Sequence, residues 1–298
     1  MGLTCRASIA GTNLLFDDFG RDGFWDMWQW KLDPYRIRED DSWKPDAVIR
    51  NACEQKAEIL ESGAEILSSQ QSGFYRREVL RASDGGTIWR FARRLTDEPC
   101  VSYHISEDYR QISLLTDHSE SAGMLPFEYL GQMMPALQLK QGALTFHGAL
   151  LEYAGSAFAV CASSGTGKTT HARLWRDHKN ALILNGDRAV IRKKQNEWTA
   201  WGTPWSGTSG EQINRCAPLK ALVLLERGSD NKAVRLSSRD AVRAVMTHLL
   251  YPGWDMELTL KAFDLADDLL QAVPVCHLQC RPDADGVETL CRAIYGVL

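Results

Sequence analysis

Apolar positions along the chain fall into two stretches of different character. In the first, short runs of β-type composition dominate. Phe74 to Leu80 and Thr87 to Arg93 flank Ser83-Asp84-Gly85-Gly86, where glycine supplies the backbone angles that a tight hairpin needs. Val101–Ile105 and Gln111–Leu115 flank Glu107-Asp108 in a second, weaker hairpin. Ala57, Leu60, Ala64 and Leu67 recur at helical spacing and predict a helix over Glu54 to Leu67, ending before the polar run Ser68–Ser72. Trp28 and Trp30 alternate as residues on one face of a strand do. A helix follows from about Pro126 to Leu139, with Phe127, Leu130, Met133, Met134 and Leu137 as its apolar stripe.

Beyond Gly142 the pattern changes. Strands are predicted at Ala143–Tyr153 and Ala157–Ala162, then a glycine-rich loop, then a helix from Lys168 to about Asp177. Further strands fall at Ala181–Leu184, Ala189–Arg192, Trp198–Trp201 and Ala221–Leu225. Helices at Arg239–Leu250 and Leu258–Ala272, a strand at Val275–Gln279 and a helix at Asp285–Tyr295 complete the chain. The expected fold class is α/β with a mixed sheet, in two domains. Residues 1–141 form a β-rich module for acceptor binding or interaction, and residues 142–298 form the α/β module.

Composition narrows the function. The 298 residues are 44% hydrophobic and 24% charged, which excludes a disordered or fibrous chain. Lys and Arg number 34 against 38 Asp and Glu, a net −4, so no basic excess points to nucleic acid. The most apolar region, Ala143 to Ala162, is interrupted by His147, Glu152 and Gly155, which argues against a membrane span. The first residues lack a charged start followed by an apolar block, which argues against secretion. The eight cysteines are irregularly spaced, and Cys276-x3-Cys280 has neither zinc spacing nor a partner pair. They read as reduced, mostly buried thiols of a cytoplasmic protein. Arg76, Arg77, Arg90, Arg93 and Arg94 read as a solvated sheet face in preference to a substrate patch. Trp, at 10, outnumbers Phe and Tyr. Trp25, Trp28, Trp30 and Trp43 read as core in preference to an acceptor surface; Trp198, Trp201 and Trp205 are expected to border the site.

The chemistry concentrates in Ala162-Ser163-Ser164-Gly165-Thr166-Gly167-Lys168-Thr169-Thr170. It follows an apolar strand and opens a helix, the context of a phosphate-binding P-loop. Gly165 and Gly167 let successive N–H groups turn toward phosphate oxygens, and the helix N-terminus adds partial positive charge. Ser163 to Thr170 are thus the expected nucleotide contacts, with Lys168 on the β- and γ-phosphates and Thr169 on Mg²⁺. The usual first glycine is Ala162, tolerable at negative φ. Asp187, after the apolar run Leu182-Ile183-Leu184 and the turn Asn185-Gly186, either holds Mg²⁺ and orients the attacking hydroxyl, or is a solvent-facing turn residue. Arg188 contacts phosphate or pairs with an acid. The loop Gly202–Gln212, with three glycines, closes over the nucleotide with Trp205 as a stacking surface, or is a long turn. Arg281 is a phosphate contact or, more simply, a surface arginine.

From Thr145 to the C-terminus these residues resemble a family. His147-Gly148-Ala149, Gly155, Ser164-Gly165-Thr166-Gly167-Lys168-Thr169 and the strand leading to Asp187 look like the C-terminal domain of HPr serine kinase/phosphorylase. The loop is also similar to that of ATP-dependent phosphoenolpyruvate carboxykinase. Gly202-Thr203-Pro204-Trp205-Ser206-Gly207 and Pro218-Leu219-Lys220-Ala221 look like HPr-kinase-like proteins found beside bacterial peptide-modification genes. The resemblance implies ATP and Mg²⁺ as cofactors and transfer of the γ-phosphoryl group to a Ser or Thr hydroxyl of a peptide or small protein. It implies His147, Lys168 and Asp187 as catalytic residues, Thr169 and Asp187 as metal ligands, and suggests a homo-oligomer. It also exposes a departure: the family's first acid of an Asp-Asp pair is Gly186 here. Either Asp187 does both jobs, His147 takes the proton, or transfer is weak. The alternatives are a nucleotide-binding regulatory module without efficient transfer, or a small-molecule kinase.

Overall fold

The computed structural model describes residues 4–18, 24–38, 42–52, 63–71, 75–93, 99–117 and 123–296. Two compact units divide between Leu137 and Gln138. The first is built on one eight-stranded sheet. Strands β1 (Cys5–Ile9) and β2 (Thr12–Asp17) alternate buried and half-buried positions and turn through Ala10 and Gly11, both at positive φ, as a two-residue hairpin requires. Helix α1 (Phe24–Leu32) precedes β3 (Ala47–Asn51), β4 (Glu65–Gln71), β5 (Tyr75–Arg81), β6 (Thr87–Arg93), β7 (Pro99–Ile105) and β8 (Gln111–Asp117). The sheet order is β1-β2-β3-β8-β7-β6-β5-β4, with β3 parallel to both neighbours. Both predicted hairpins, β5–β6 and β7–β8, form as antiparallel pairs. Helix α2 (Met124–Lys140) buries the expected stripe of Phe127, Leu130, Met133, Met134 and Leu137.

Two expectations for this unit are corrected. Trp28 and Trp30 lie in a helix, where a two-residue step turns about 200° and separates their side chains. Trp28 is fully buried against Phe16 and Phe127 and donates its Nε1–H to Gly123 O at 2.7 Å, whereas Trp30 is 52% exposed. The predicted helix Glu54–Leu67 fails at its C-terminal end: Glu65 onward is strand, because the segment pairs with β5 from Glu65↔Arg81 to Gln71↔Arg76. Residues 54–62 of that helix, like Arg94 and the Trp25 side chain, lie outside the described residues.

The second unit is organised on the long strand β9 (Ala143–Tyr153). It pairs along one part with β10 (Ser156–Cys161), which leads through the glycine-rich loop into α3 (Lys168–Lys179). After α3 come β11 (Leu182–Asn185), β12 (Arg188–Lys194), β13 (Glu197–Trp201), β14 (Cys216–Arg227) and β15 (Lys232–Arg235). Then follow α4 (Ser238–Met246), β16 (Leu249–Leu250), α5 (Met256–Ala272), β17 (Val275–Cys280) and α6 (Ala284–Tyr295). The path β10-β9-β12-β13-β14 closes on itself, because β14 also runs parallel to β10; β17 and β15 extend it, and β11 and β16 add to β9. The mixed α/β class is therefore observed. The predicted helix Arg239–Leu250 ends at Met246, since Leu249 and Leu250 pair with Phe146 and Thr145 of β9. β15, Lys-Ala-Val-Arg, is too polar and short to announce itself, and forms by pairing with β17.

Trp175 fixes α3 to this sheet. It is fully buried, 4.6 Å from Phe158 and 5.5 Å from Tyr153 between ring centroids. Burying such a ring stabilises by about 2–3 kcal/mol, which holds the N-terminus of α3 at the end of β10. The seven described cysteines are free, and all but Cys216 are buried. Among the described residues no helix is long and apolar enough to cross a membrane.

Candidate active site

Strand pairing assembles the site. β9 and β12 run antiparallel with His147 opposite Arg188, so residues 41 positions apart in sequence meet, and Asp187 O accepts from Gly148 N at 2.9 Å. On the other side of β9, Gly148 pairs with Cys161, the last residue of β10, where a Cβ on residue 148 would sit 2.9 Å from Val160 O. This brings the loop after β10 to His147. In that loop Gly165 has φ +78° and Gly167 φ +115°, the left-handed region that favours glycine. A Cβ at either would meet nothing within 4 Å, so the loop presents an open concavity at the N-terminus of α3, whose first-turn N–H groups have no i−4 carbonyl.

A cavity of about 310 Å³ lies there, and its walls include His147, Lys168, Thr169, Gly186, Asp187 and Thr208. Ser164, Gly165, Gly167 and Thr170 also line it. Ser163 and Thr166 do not: the Ser163 carbonyl accepts from Thr166 N at 3.2 Å, and Thr166 faces a neighbouring cavity. Lys168 is almost wholly buried, and its ammonium donates to Ala162 O at 2.7 Å and Ser163 O at 3.3 Å. It lies 3.1 Å from His147 Nε2. Burial pulls the Lys168 pKa below the usual lysine range, against the opposing pull of Asp187.

His147 lies between cation and anion. With Nε2 accepting from Lys168, the ring proton is on Nδ1, which faces Asp187 Oδ1 at 3.4 Å. Burial lowers the His147 pKa, Asp187 opposes that shift, and Lys168 and Arg188 add to it, so the imidazole is neutral at pH 7. Arg188 Nε is 3.6 Å from Asp187 Oδ2, which favours the ion-pairing reading of that arginine.

The turn that presents Asp187 depends on Asn185. Its side chain is fully buried; Oδ1 accepts from Asp187 N at 2.9 Å and Arg188 N at 2.7 Å. Its Nδ2 donates to Thr203 O, Thr203 Oγ1 and Trp205 O at 2.9–3.1 Å. One amide thereby ties the 185–188 turn to the 203–209 loop, which folds over it. A Cβ on Gly186 would fall 1.9 Å from Ser209 Oγ, and one on Gly207 would fall 2.8 Å from Asp187 Cγ. Ser209 thus fills the space that a side chain on residue 186 would take.

Several expectations change here. Trp205 is 1% exposed and cannot offer a stacking face, and none of Trp198, Trp201 and Trp205 lines either cavity. Arg281 is tied to Asp283 at 2.8 Å and to Ser229 O at 3.1 Å, as a surface residue. Arg227, 61 and 62 residues from its two partners in the glycine-rich loop, was not marked by any motif, yet its Nε donates to Thr166 O at 2.9 Å and its Nη2 to Gly165 O at 2.6 Å. It clamps the loop from the end of β14. Thr208 and Ser209 likewise carry no motif signal, and Asn185 and Ser206 stand in quoted segments without a role of their own.

The donor set suits a hard cation shared with phosphate. Thr169 and Asp187 bring a hydroxyl and a carboxylate to one cavity. Among the described residues no group of three or more His, Cys, Asp or Glu side chains is placed to hold a metal.

Fold and site together define a mixed α/β protein with a glycine-rich strand–loop–helix site. Residues 119–281, more than half of the chain, match the family described as SynChlorMet cassette protein ScmC, and the chain belongs to that family. No curated protein matches it. Among solved structures it is similar to the Hpr(Ser) kinase/phosphatase from Coxiella burnetii, with 10% identity over 50% of this chain and 94% of that chain, at a TM-score of 0.31. A likeness at that distance leaves the roles of these residues to their own geometry.

Proposed function

We propose that this protein is an ATP-dependent phosphotransferase that passes the γ-phosphoryl group to a Ser or Thr hydroxyl of a peptide or small protein. The observation that carries this reading is the convergence of His147, Lys168 and Asp187 with the glycine-rich helix N-terminus on one cavity. Backbone N–H groups of Gly165, Gly167, Lys168 and Thr169 bind and orient phosphate oxygens. Lys168 exchanges its contact with His147 Nε2 for a phosphate oxygen, which frees the imidazole. His147, already neutral, then takes the hydroxyl proton, and Asp187 opposite Nδ1 stabilises the imidazolium. The acceptor oxygen–phosphorus bond forms as the bond to the β-phosphate oxygen breaks. Mg²⁺, held by Thr169 and Asp187, would supply neutralisation of the phosphate charge. Ser209 in the place of a second acid supports His147, rather than residue 186, as the base.

That same filled position favours a second reading: a regulator that binds nucleotide tightly with little transfer. The experiment is incubation with γ-labelled ATP and Mg²⁺, with Ser- and Thr-containing products of the same cassette tried first as acceptors. Label transfer that Lys168→Ala and His147→Ala both abolish supports the transferase. ATP binding without transfer to any acceptor supports the regulator, and absence of ATP binding overturns both.

A further inference from the structure

Six hydroxyl side chains line the cavity that holds His147, Lys168 and Asp187, and they divide by the element that carries them. Ser164, Thr169 and Thr170 belong to the glycine-rich loop and the first turn of α3, the side assigned to the phosphates. Ser206, Thr208 and Ser209 belong to the loop folded over the Asp187 turn. Ser206 is fully buried. The Ser209 hydroxyl is already engaged, donating to Ser206 O at 2.7 Å and accepting from Glu211 N at 3.2 Å. Thr208 is exposed, so of the three it is the hydroxyl open to a group bound in the cavity.

Thr208 is also held beside the groups that would act on it. A Cβ on Gly207 would stand 2.8 Å from Asp187 Cγ, so the backbone next to Thr208 lies against the carboxylate that faces His147 Nδ1. The loop is tied down on both sides of that contact. Asn185 Nδ2 holds its start through Thr203 O at 2.9 Å and Trp205 O at 3.1 Å. Arg176 of α3 holds its end, donating from Nη1 to Glu211 Oε1 at 3.0 Å. A hydroxyl restrained in this way, in one cavity with a neutral imidazole, has already given up much of the orientational freedom that a free acceptor loses on reacting.

We infer that Thr208 is a self-phosphorylation site: with a nucleoside triphosphate bound and no acceptor in place, the chain passes the γ-phosphoryl group to its own loop. This inference rests on the phosphotransferase reading proposed above. Thr208 Oγ1 bonds to the γ-phosphorus as the bond to the β–γ bridging oxygen breaks; the hydroxyl proton passes to His147 Nε2, and the nucleoside diphosphate leaves with the electron pair. The test is incubation of the whole chain with γ-labelled ATP and Mg²⁺ and no acceptor, with the label located by peptide mass spectrometry and phosphoamino-acid analysis. Phosphothreonine at residue 208 is expected, formed at a fractional rate independent of protein concentration. Thr208→Ser is expected to turn the label into phosphoserine at the same position, and Thr208→Val to remove it. Label at another residue, or a fractional rate that rises with protein concentration, overturns the inference. So does an unlabelled chain that still transfers to an added Ser or Thr peptide, which leaves the phosphotransferase reading standing. A chain that labels neither itself nor any acceptor overturns both.

Discussion

Gly186→Ala is the smallest perturbation that probes the contact between the Asp187 turn and the loop folded over it. Residue 186 does not have a positive φ, so on backbone grounds alanine there should stabilise by about 0.4–1 kcal/mol through the unfolded chain. The structure reverses that sign. The new Cβ would stand 1.9 Å from Ser209 Oγ and 2.6 Å from Ser209 Cβ, so the loop must move by more than an ångström or the serine must leave. Overpacking of this kind costs about 1–3 kcal/mol. Ser209 cannot yield freely, because its hydroxyl donates to Ser206 O at 2.7 Å and accepts from Glu211 N at 3.2 Å. Removing the Ser209 side chain changes the outcome: the next neighbour of that Cβ is Ser206 O at 3.6 Å, an ordinary contact. A double-mutant cycle of Gly186→Ala and Ser209→Gly, read by urea unfolding of the second unit, is therefore expected to show a coupling of about 2 kcal/mol. The alanine should destabilise alone and be neutral or stabilising once Ser209→Gly is also present. Gly186→Ala that is stabilising in the unaltered background would refute the reasoning. So would an effect equal in both backgrounds. In the same Ser209→Gly background, Gly186→Asp is expected to be tolerated, which restores a second acid for transfer assays.

Asn185→Ala should cost on the order of 3 kcal/mol, since it leaves buried carbonyls and N–H groups without partners at roughly 1–3 kcal/mol each; thermal unfolding checks this. Transfer by the unaltered protein should be flat above pH 6.5 and fall as His147 protonates at a pKa lowered below that value. His147→Gln should lose this limb and about 10²–10⁴-fold in rate, and an unchanged pH–rate profile counts against His147 as base. His171, held near pKa 4 by burial against an ordinary 6.5, binds its proton less readily when folded. Its contribution to stability is complete above pH 6.5 and is lost as pH falls toward 4, with about 2 kcal/mol lost at pH 5. Comparison with His171→Gln by urea unfolding at pH 7 and pH 5 should isolate that loss, and parallel pH dependence in the two proteins would exclude it.

Much of the second unit was legible in the order of residues. The apolar run ending at Cys161, the glycines at 165 and 167, and the helix opening at Lys168 form a local unit, because a strand, a turn of positive φ and a helix start each depend on neighbours in sequence. The site residues Lys168, Thr169 and Thr170 belong to it. Asp187 was marked by its place after an apolar run and a turn, His147 by resemblance, and their meeting rests on the pairing of β9 with β12. The helix expected over Glu54–Leu67 shows the converse, where helical spacing yields to the open edge of β5 at Glu65 and beyond. The spacing of Trp28 and Trp30 fits a strand and a helix alike until the ends of the element are known.

Residue order therefore specifies a glycine-rich turn that opens a helix: glycine permits the turn, and a helix start leaves N–H groups to be satisfied. It does not specify what stands around that loop. Arg227 reaches it from β14, Asn185 ties the Asp187 turn to the 203–209 segment, and Ser209 takes the space beside Gly186. These contacts join residues from about twenty to sixty positions apart. They exist because sheet pairing and close packing bring distant strands together, and no spacing along the chain encodes which strands those are.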